Sequence, residues 1–559
     1  MKKILLLLLV AISLTQCIAV KSKKTTIVSN EKTVTSEVDF KRPKLMVGVV
    51  VDQMRYDYLI KFYNKYGENG FKKLMRNGYN LENVHYNYIP TYTAVGHTSI
   101  YTGTTPTNHG IISNNWYDKY EKKSIYCVDD DRYETVGAKT GGKKSPYRML
   151  TTTITDQLRL AQNMKGKSIG ISIKDRSAIL PAGHTANAAY WFEGGNEGKF
   201  ISSTFYMNEL PKWVTDFNNN GKANDYLNQT WNTYYDINSY TETLPDNNNY
   251  EGLFNGKETP TFPYNLTELR QKNDNYNLLK AIPFGNSIVT DFAEATIIGE
   301  NLGNSNFTDF LAISYSSTDY VGHQFGVDAK ELEDTYIRMD KEIERLLSIL
   351  DNKVGINNYT LFLTADHAAV EVPAYLNSLK IPGGYFDYDE FKTTLKKIAL
   401  DNFKSEEIIE NVSNYQIYLN KEKLKELKLD ANYVSQVIAD EIINIMNVYK
   451  TVTGHTLQTT NFDLGVLQTL QNGYNQKFSG DILFVPNPST ITYDKTGTTH
   501  GSGYSYDTHV PLIFYGSGIK KGQSYNYYPI IDIAPTITSF LKITQANGNS
   551  GKPIVEVLE

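Results

Sequence analysis

A chain of 559 residues with 40% hydrophobic and 12% aromatic content can fill one large α/β domain with insertions or several small domains. Its net charge of -5 and pI near 6.1 leave no basic footprint, which excludes nucleic acid as the expected partner. Two cysteines, Cys17 and Cys127, exclude an internal disulfide framework in the exported chain.

Met1-Lys2-Lys3 and the apolar run from Ile4 to Leu14 form the charged and apolar parts of a secretory signal, expected over 1–19. That run is too short to span a bilayer, and no other stretch reaches the ~20 apolar residues of a membrane helix. Leu14-Thr15-Gln16-Cys17 loosely resembles a lipoprotein box, although Gln16 is bulkier than the usual small residue there; plain cleavage after Ala19 is the alternative. Residues 20–43, rich in Lys, Thr and Ser, are expected to form a flexible linker. The expected location is periplasmic or secreted, with an outer-membrane lipid anchor at Cys17 as the variant. The sequence does not set the oligomeric state, and a monomer is compatible with it.

Leu45 to Val51 is a continuous apolar run of the kind a strand buried on both faces requires. Similar runs over 167–173, 310–315, 359–364 and 510–515 alternate with helical patterns such as 155–164 and 331–350. This alternation predicts an α/β fold with a doubly wound, mostly parallel sheet. Residues 195–285, rich in Asn, Tyr, Thr and Pro, read as long surface excursions. The Lys- and Glu-rich helical stretches of 379–475 read as an inserted cap, leaving 44–378 and 476–559 as the core.

Each predicted core strand borders residues suited to a metal or phosphate site. Asp52 follows the first, Lys174-Asp175-Arg176 the second, and Ser317 to His323 the third; Asp366-His367 follow the fourth, and His500 precedes the last. A single Asp after a strand is ordinarily a turn residue or helix cap. Their recurrence on the edge where α/β sheets bind ligands favours a shared site. Asp52, Asp319, Asp366, His323, His367 and His500 make a mixed oxygen and nitrogen donor set for two metals, which suits zinc better than magnesium or calcium. Asp319 and His323, spaced i, i+4, can face one metal from a helical turn. Thr93, in Pro90-Thr91-Tyr92-Thr93-Ala94-Val95-Gly96-His97-Thr98-Ser99, stands near the N-cap of a short helix. A threonine there is commonly just a cap. The helix end also favours an alkoxide or a bound phosphate, which makes Thr93 a candidate nucleophile. His97 reads as core or as support for the site; His85, His109, His184, His455 and His509 read as structural, His184 and His509 standing nearer the site in sequence.

These motifs, together with Asn114-Asn115-Trp116-Tyr117-Asp118, resemble the alkaline phosphatase superfamily and most closely its PafA-type phosphate-insensitive members. The resemblance runs from Val49 to Pro553. It implies an alkaline-phosphatase-like fold and two Zn2+ ions, one on Asp319, His323 and His500 and the other on Asp52, Asp366 and His367. It further implies Thr93 as nucleophile, with Asn114, Lys174 and Arg176 contacting phosphoryl oxygens. Ala368 departs from the glycine usual after the Asp-His pair without removing a ligand. The implied activity is hydrolysis of small phosphate monoesters through a phosphothreonine. A two-zinc phosphodiesterase or nucleotide pyrophosphatase, and a non-catalytic phosphate-binding protein, are the alternatives.

Overall fold

The computed structural model describes residues 42–559. The expected signal (1–19), Cys17 and all but the last two residues of the expected linker (20–43) lie outside the described residues.

An 11-stranded sheet runs through the core. At its centre Leu45–Val51 lies between Asp309–Tyr315 and Tyr359–Thr364, parallel to both. Ser168–Ser172 and then Ala188–Glu193 extend the parallel part beyond Asp309–Tyr315. Every residue of the three central strands is buried, as sheets covered on both faces demand.

Register explains why the chemistry collects on one edge. Val50 pairs with Ser314 on one side and Thr364 on the other, and Ser314 pairs with Ser172. The four chains therefore leave the sheet level with one another, delivering Asp52, Lys174, Ser317 and Asp366 to a common edge. Strand His509–Gly516 instead runs antiparallel to Tyr359–Thr364, with Leu512 opposite Thr364. Its beginning thus lies at the edge where the parallel strands end, and the segment before it carries His500 there. Tyr79–His85 pairs antiparallel with His509–Gly516, so it too ends at this edge before the chain reaches Thr93.

One expectation is corrected. The 195–285 region is more than surface excursion: Trp231 and Tyr264 are fully buried, stacked with centroids 5.1 Å apart, and packed on Phe254, Phe262 and Phe325. The expected insert, 379–475, shares its structure with residues beyond that boundary. A four-stranded sheet joins Ile409–Ser413, Gln416–Leu419 and Val448–Thr453 to Ile482–Pro486. Helices Tyr388–Phe403 and Ala431–Ile442 give it a core of its own, with Leu395, Ile417, Val434 and Ile438 all wholly buried.

Candidate active site

Thr93 is the first residue of the helix Thr93–Thr102, one place inside the cap expected from sequence, and Tyr92 caps it in an extended conformation. Gly96 lets this helix pack directly on the Asp366 segment, since a Cβ there would lie 2.1 Å from the Asp366 carbonyl oxygen. The Thr93 hydroxyl consequently stands 3.4 Å from Nε2 of His367.

The six candidate ligands gather into two groups, Asp52 with Asp366 and His367, and Asp319 with His323 and His500. In the first, His367 Nε2 is 3.5 Å from both Asp52 Oδ1 and Asp366 Oδ2. In the second, Asp319 Oδ1 is 3.2 Å from His323 Nε2 and 3.7 Å from His500 Nε2.

Three observations show that these residues fit metal ions. Nδ1 of His323, His367 and His500 each lies within 3.1 Å of a backbone carbonyl, on Thr498, Ala368 and Thr91 respectively. A carbonyl accepts only from N–H, so each ring carries its proton on Nδ1 and turns a bare Nε2 inward, as metal-binding histidines do. Burial lowers the pKa of His367 and, with help from neighbouring His367, holds that of His500 well below its ordinary value. Both rings are thereby kept neutral, the form that ligates. Asp52 Oδ1 and Asp366 Oδ2 are buried with no hydrogen-bond partner among the described residues. Burial first, and Asp366 second, raise the Asp52 pKa well above the ordinary carboxylate range, a penalty that a cation between them would relieve.

Lys174, 4% exposed, follows its strand into the gap between the groups. Its Nζ donates to Asp52 Oδ2 at 2.8 Å and to Asp319 Oδ2 at 2.5 Å. Burial works against this ammonium, but Asp319 and Asp52 outweigh it and raise its pKa. Arg176 donates from Nη1 to the Tyr126 hydroxyl at 3.0 Å, and that hydroxyl donates to Asp175 at 2.5 Å. Asn114 accepts the Ala94 N–H at its Oδ1, 2.8 Å away, which couples it to the first turn of the Thr93 helix.

One supporting residue emerges that the sequence did not single out. Gln53 donates from Nε2 to Asp319 Oδ1 at 2.7 Å and from its backbone to Asp366 Oδ1 at 3.2 Å, touching both groups. It holds a left-handed backbone (φ 64°), a strained state for a non-glycine residue, and Gly322 leaves room for its side chain. Its only sequence signal is its place after Asp52. His97 takes a supporting position: its Nδ1 donates to the Thr93 carbonyl at 2.9 Å and lies 3.3 Å from Asp366 Oδ2, while Nε2 meets Ser314 Oγ at 3.0 Å. His109 bonds Ser99, His184 the Thr151 carbonyl, and His85 and His509 stack on each other, all in structural settings.

Sheet order and the residues along its carboxyl edge place the chain in the alkaline-phosphatase-like α/β class. The type I phosphodiesterase / nucleotide pyrophosphatase family matches residues 46–510. The protein named alkaline phosphatase PafA of Elizabethkingia meningoseptica is 44% identical over 521 residues, covering 92% of this chain and 95% of that one. A protein of Myroides odoratus named a calcium-transporting ATPase is 43% identical over 523 residues, covering 93% and 95%. The crystal structure of wild-type alkaline phosphatase PafA superposes with a TM-score of 0.89 at 44% identity, over 93% of this chain and 99% of that one. The chain belongs to the PafA-type alkaline phosphatases of the alkaline phosphatase superfamily.

Proposed function

We propose that this chain is an exported phosphatase that hydrolyses small phosphate monoesters through a phosphothreonine on Thr93, with two zinc ions held by the two ligand groups. The observation that carries this reading is the Thr93 hydroxyl, 3.4 Å from the inward-facing Nε2 of His367 at the N-terminus of a helix. Bound in these groups, two zinc ions would supply Lewis-acid charge to the attacking and leaving oxygens and depress the pKa of a hydroxyl beside them. Export rests on the Met1–Ala19 signal pattern; whether Cys17 is lipidated decides between an outer-membrane anchor and a free periplasmic or secreted protein.

The chain's own groups divide the work. Thr93 Oγ gives up its proton to water and forms a bond to phosphorus as the ester P–O bond breaks. The departing alkoxide takes up one proton from water to leave as the alcohol, so protons balance. Water then attacks phosphorus and gives up a proton as the Thr93 O–P bond breaks, the threonine oxygen takes up a proton, and inorganic phosphate leaves with the hydroxyl restored. Asn114, whose Oδ1 is occupied by Ala94, keeps its Nδ2 for a phosphoryl oxygen. Lys174 spends two of its three N–H donors on Asp52 and Asp319, leaving one for the substrate. Arg176 is held by Tyr126, and its Nε is buried without a partner among the described residues. Two cations facing a dianionic phosphoryl group favour monoesters, since a diester offers one charged oxygen fewer. Electrostatic stabilisation of a loose transition state is the main contribution expected.

The family match over 46–510 favours one second reading, a phosphodiesterase or nucleotide pyrophosphatase with the same ligand groups. Rates on p-nitrophenyl phosphate, its bis-ester and ATP, measured with metal content before and after chelation, decide. Faster cleavage of the monoester and loss of activity with the metal support the proposal. A preference for the bis-ester replaces it with the second reading, and an inactive unmodified protein would leave a phosphate-binding role.

A further inference from the structure

We infer that Asn414, on the small four-stranded sheet outside the main one, is a positioning residue for Asn114. The inference rests on the reading of Asn114 as a phosphoryl contact. Ile409–Ser413 and Gln416–Leu419 form a hairpin in which Ser413 pairs with Gln416, so Asn414 and Tyr415 are its two turn residues. Both have positive φ, 52° and 57°, the type I′ geometry in which Asn is favoured at the first position. The turn alone accounts for an asparagine backbone there. It does not account for the side chain, which spans Asn114 from one neighbour to the other.

Asn414 Oδ1 accepts the Ser113 hydroxyl at 3.2 Å, and Asn414 Nδ2 donates to the Asn115 carbonyl at 2.7 Å. The residues on either side of Asn114 are thus tied to one amide. Asn114's own carbonyl accepts the Cys127 N–H at 2.9 Å, which anchors it to the partner strand Lys123–Tyr126 and its continuation. With Oδ1 already bonded to Ala94, the direction of Asn114 Nδ2 is fixed by the backbone that Asn414 holds. Two further contacts lock the hairpins together along their length: the Tyr117 hydroxyl donates to Glu410 at 2.9 Å, and the Tyr117 and Tyr418 rings meet edge to face at 5.2 Å. Displacing a catalytic contact by about an ångström is enough to cost orders of magnitude in rate. A side chain that restrains both flanking residues is therefore a lever on phosphoryl recognition.

The test uses Asn414→Gly, which keeps the left-handed turn without strain while deleting both side-chain bonds. The expected result is a loss of about tenfold in kcat/KM for p-nitrophenyl phosphate and a matching weakening of inhibition by inorganic phosphate. In an Asn114→Ala background the same substitution should change kcat/KM less than about twofold, because the positioned group is gone. Asn414→Asp keeps the acceptor for Ser113 but turns a carboxylate oxygen toward the Asn115 carbonyl, so it should lose at least as much; it carries the test should the glycine variant fail to fold. An unchanged kcat/KM in both variants, or an undiminished loss in the Asn114→Ala background, overturns the inference. Wild-type activity in Asn114→Ala alone would instead overturn the reading of Asn114 on which it rests.

Discussion

The imidazoles of His367 and His500, contributed by different ligand groups, lie stacked with centroids 3.4 Å apart and planes 13° from parallel. Each is pinned from behind by a backbone carbonyl, so neither can turn away without losing its Nδ1 bond. Removing His500 should empty its own group and leave the other: His500→Ala is expected to lower bound zinc from about two ions per chain to about one. Metal analysis of the purified variant measures this, and retention of two ions would refute the assignment of His500.

Thr93→Ala should abolish covalent phosphorylation while leaving the ligand groups intact. Deleting a nucleophile that acts with its supporting groups as a unit costs about a thousandfold or more in kcat. Acid quenching with labelled substrate should trap phosphoprotein from the unmodified enzyme and none from the variant. Labelled protein from Thr93→Ala would place the nucleophile elsewhere.

Lys174 is almost wholly buried between Asp52 and Asp319. Replacing it by Met leaves two buried carboxylates short of their ammonium, and breaking a buried pair typically costs about 3–5 kcal/mol. Urea unfolding of metal-depleted protein should show a loss of that order for Lys174→Met. The deficit should shrink when metal is restored, because added positive charge compensates the same oxygens.

Gly96→Ala tests the seating of the Thr93 helix. Its new methyl would meet the Asp366 carbonyl oxygen at 2.1 Å, a backbone contact that cannot swing aside. Overpacking of this kind costs about 1–3 kcal/mol. Because the displaced segment also carries Asp366 and His367, metal affinity of their group should fall along with the urea midpoint.

His109 sets an acid limit on stability. Burial pulls its pKa down to about 3. Its Nδ1 accepts the Ile111 N–H at 3.2 Å, so Nε2 carries the proton that meets Ser99. Once unfolded, the ring titrates near the ordinary value of about 6.5, so between these limits the unfolded chain binds the extra proton. Stability is therefore full above about pH 6.5 and declines as pH falls toward about 3. Melting temperature against pH should show this slope, and His109→Gln should flatten it.

The central strands are legible in the chain because strands covered on both faces must be unbroken apolar runs, as Leu45–Val51 and Tyr359–Thr364 are. Direction is not: Val510 to Tyr515 reads alike whichever way it pairs, and only the register with Thr364 reveals it as antiparallel. Asp52, Asp366 and His367 draw notice as residues closing strands, but nothing in their linear spacing sorts six candidate ligands into two groups of three. Polar composition around 195–285 hides Trp231 and Tyr264, since a few buried rings barely alter an average dominated by Asn and Thr. Gln53, Tyr126 and Asn414 carry no motif at all, because their tasks are defined by what they touch.

The antiparallel closing strand has a consequence for how the protein is made. Asp319 and His323 are synthesised long before His500, and the segment bearing His500 enters the strand His509–Gly516 that lies against Tyr359–Thr364. A nascent chain still missing its carboxyl-terminal tenth can gather Asp52, Asp366 and His367 but lacks the strand that seats His500 beside Asp319 and His323.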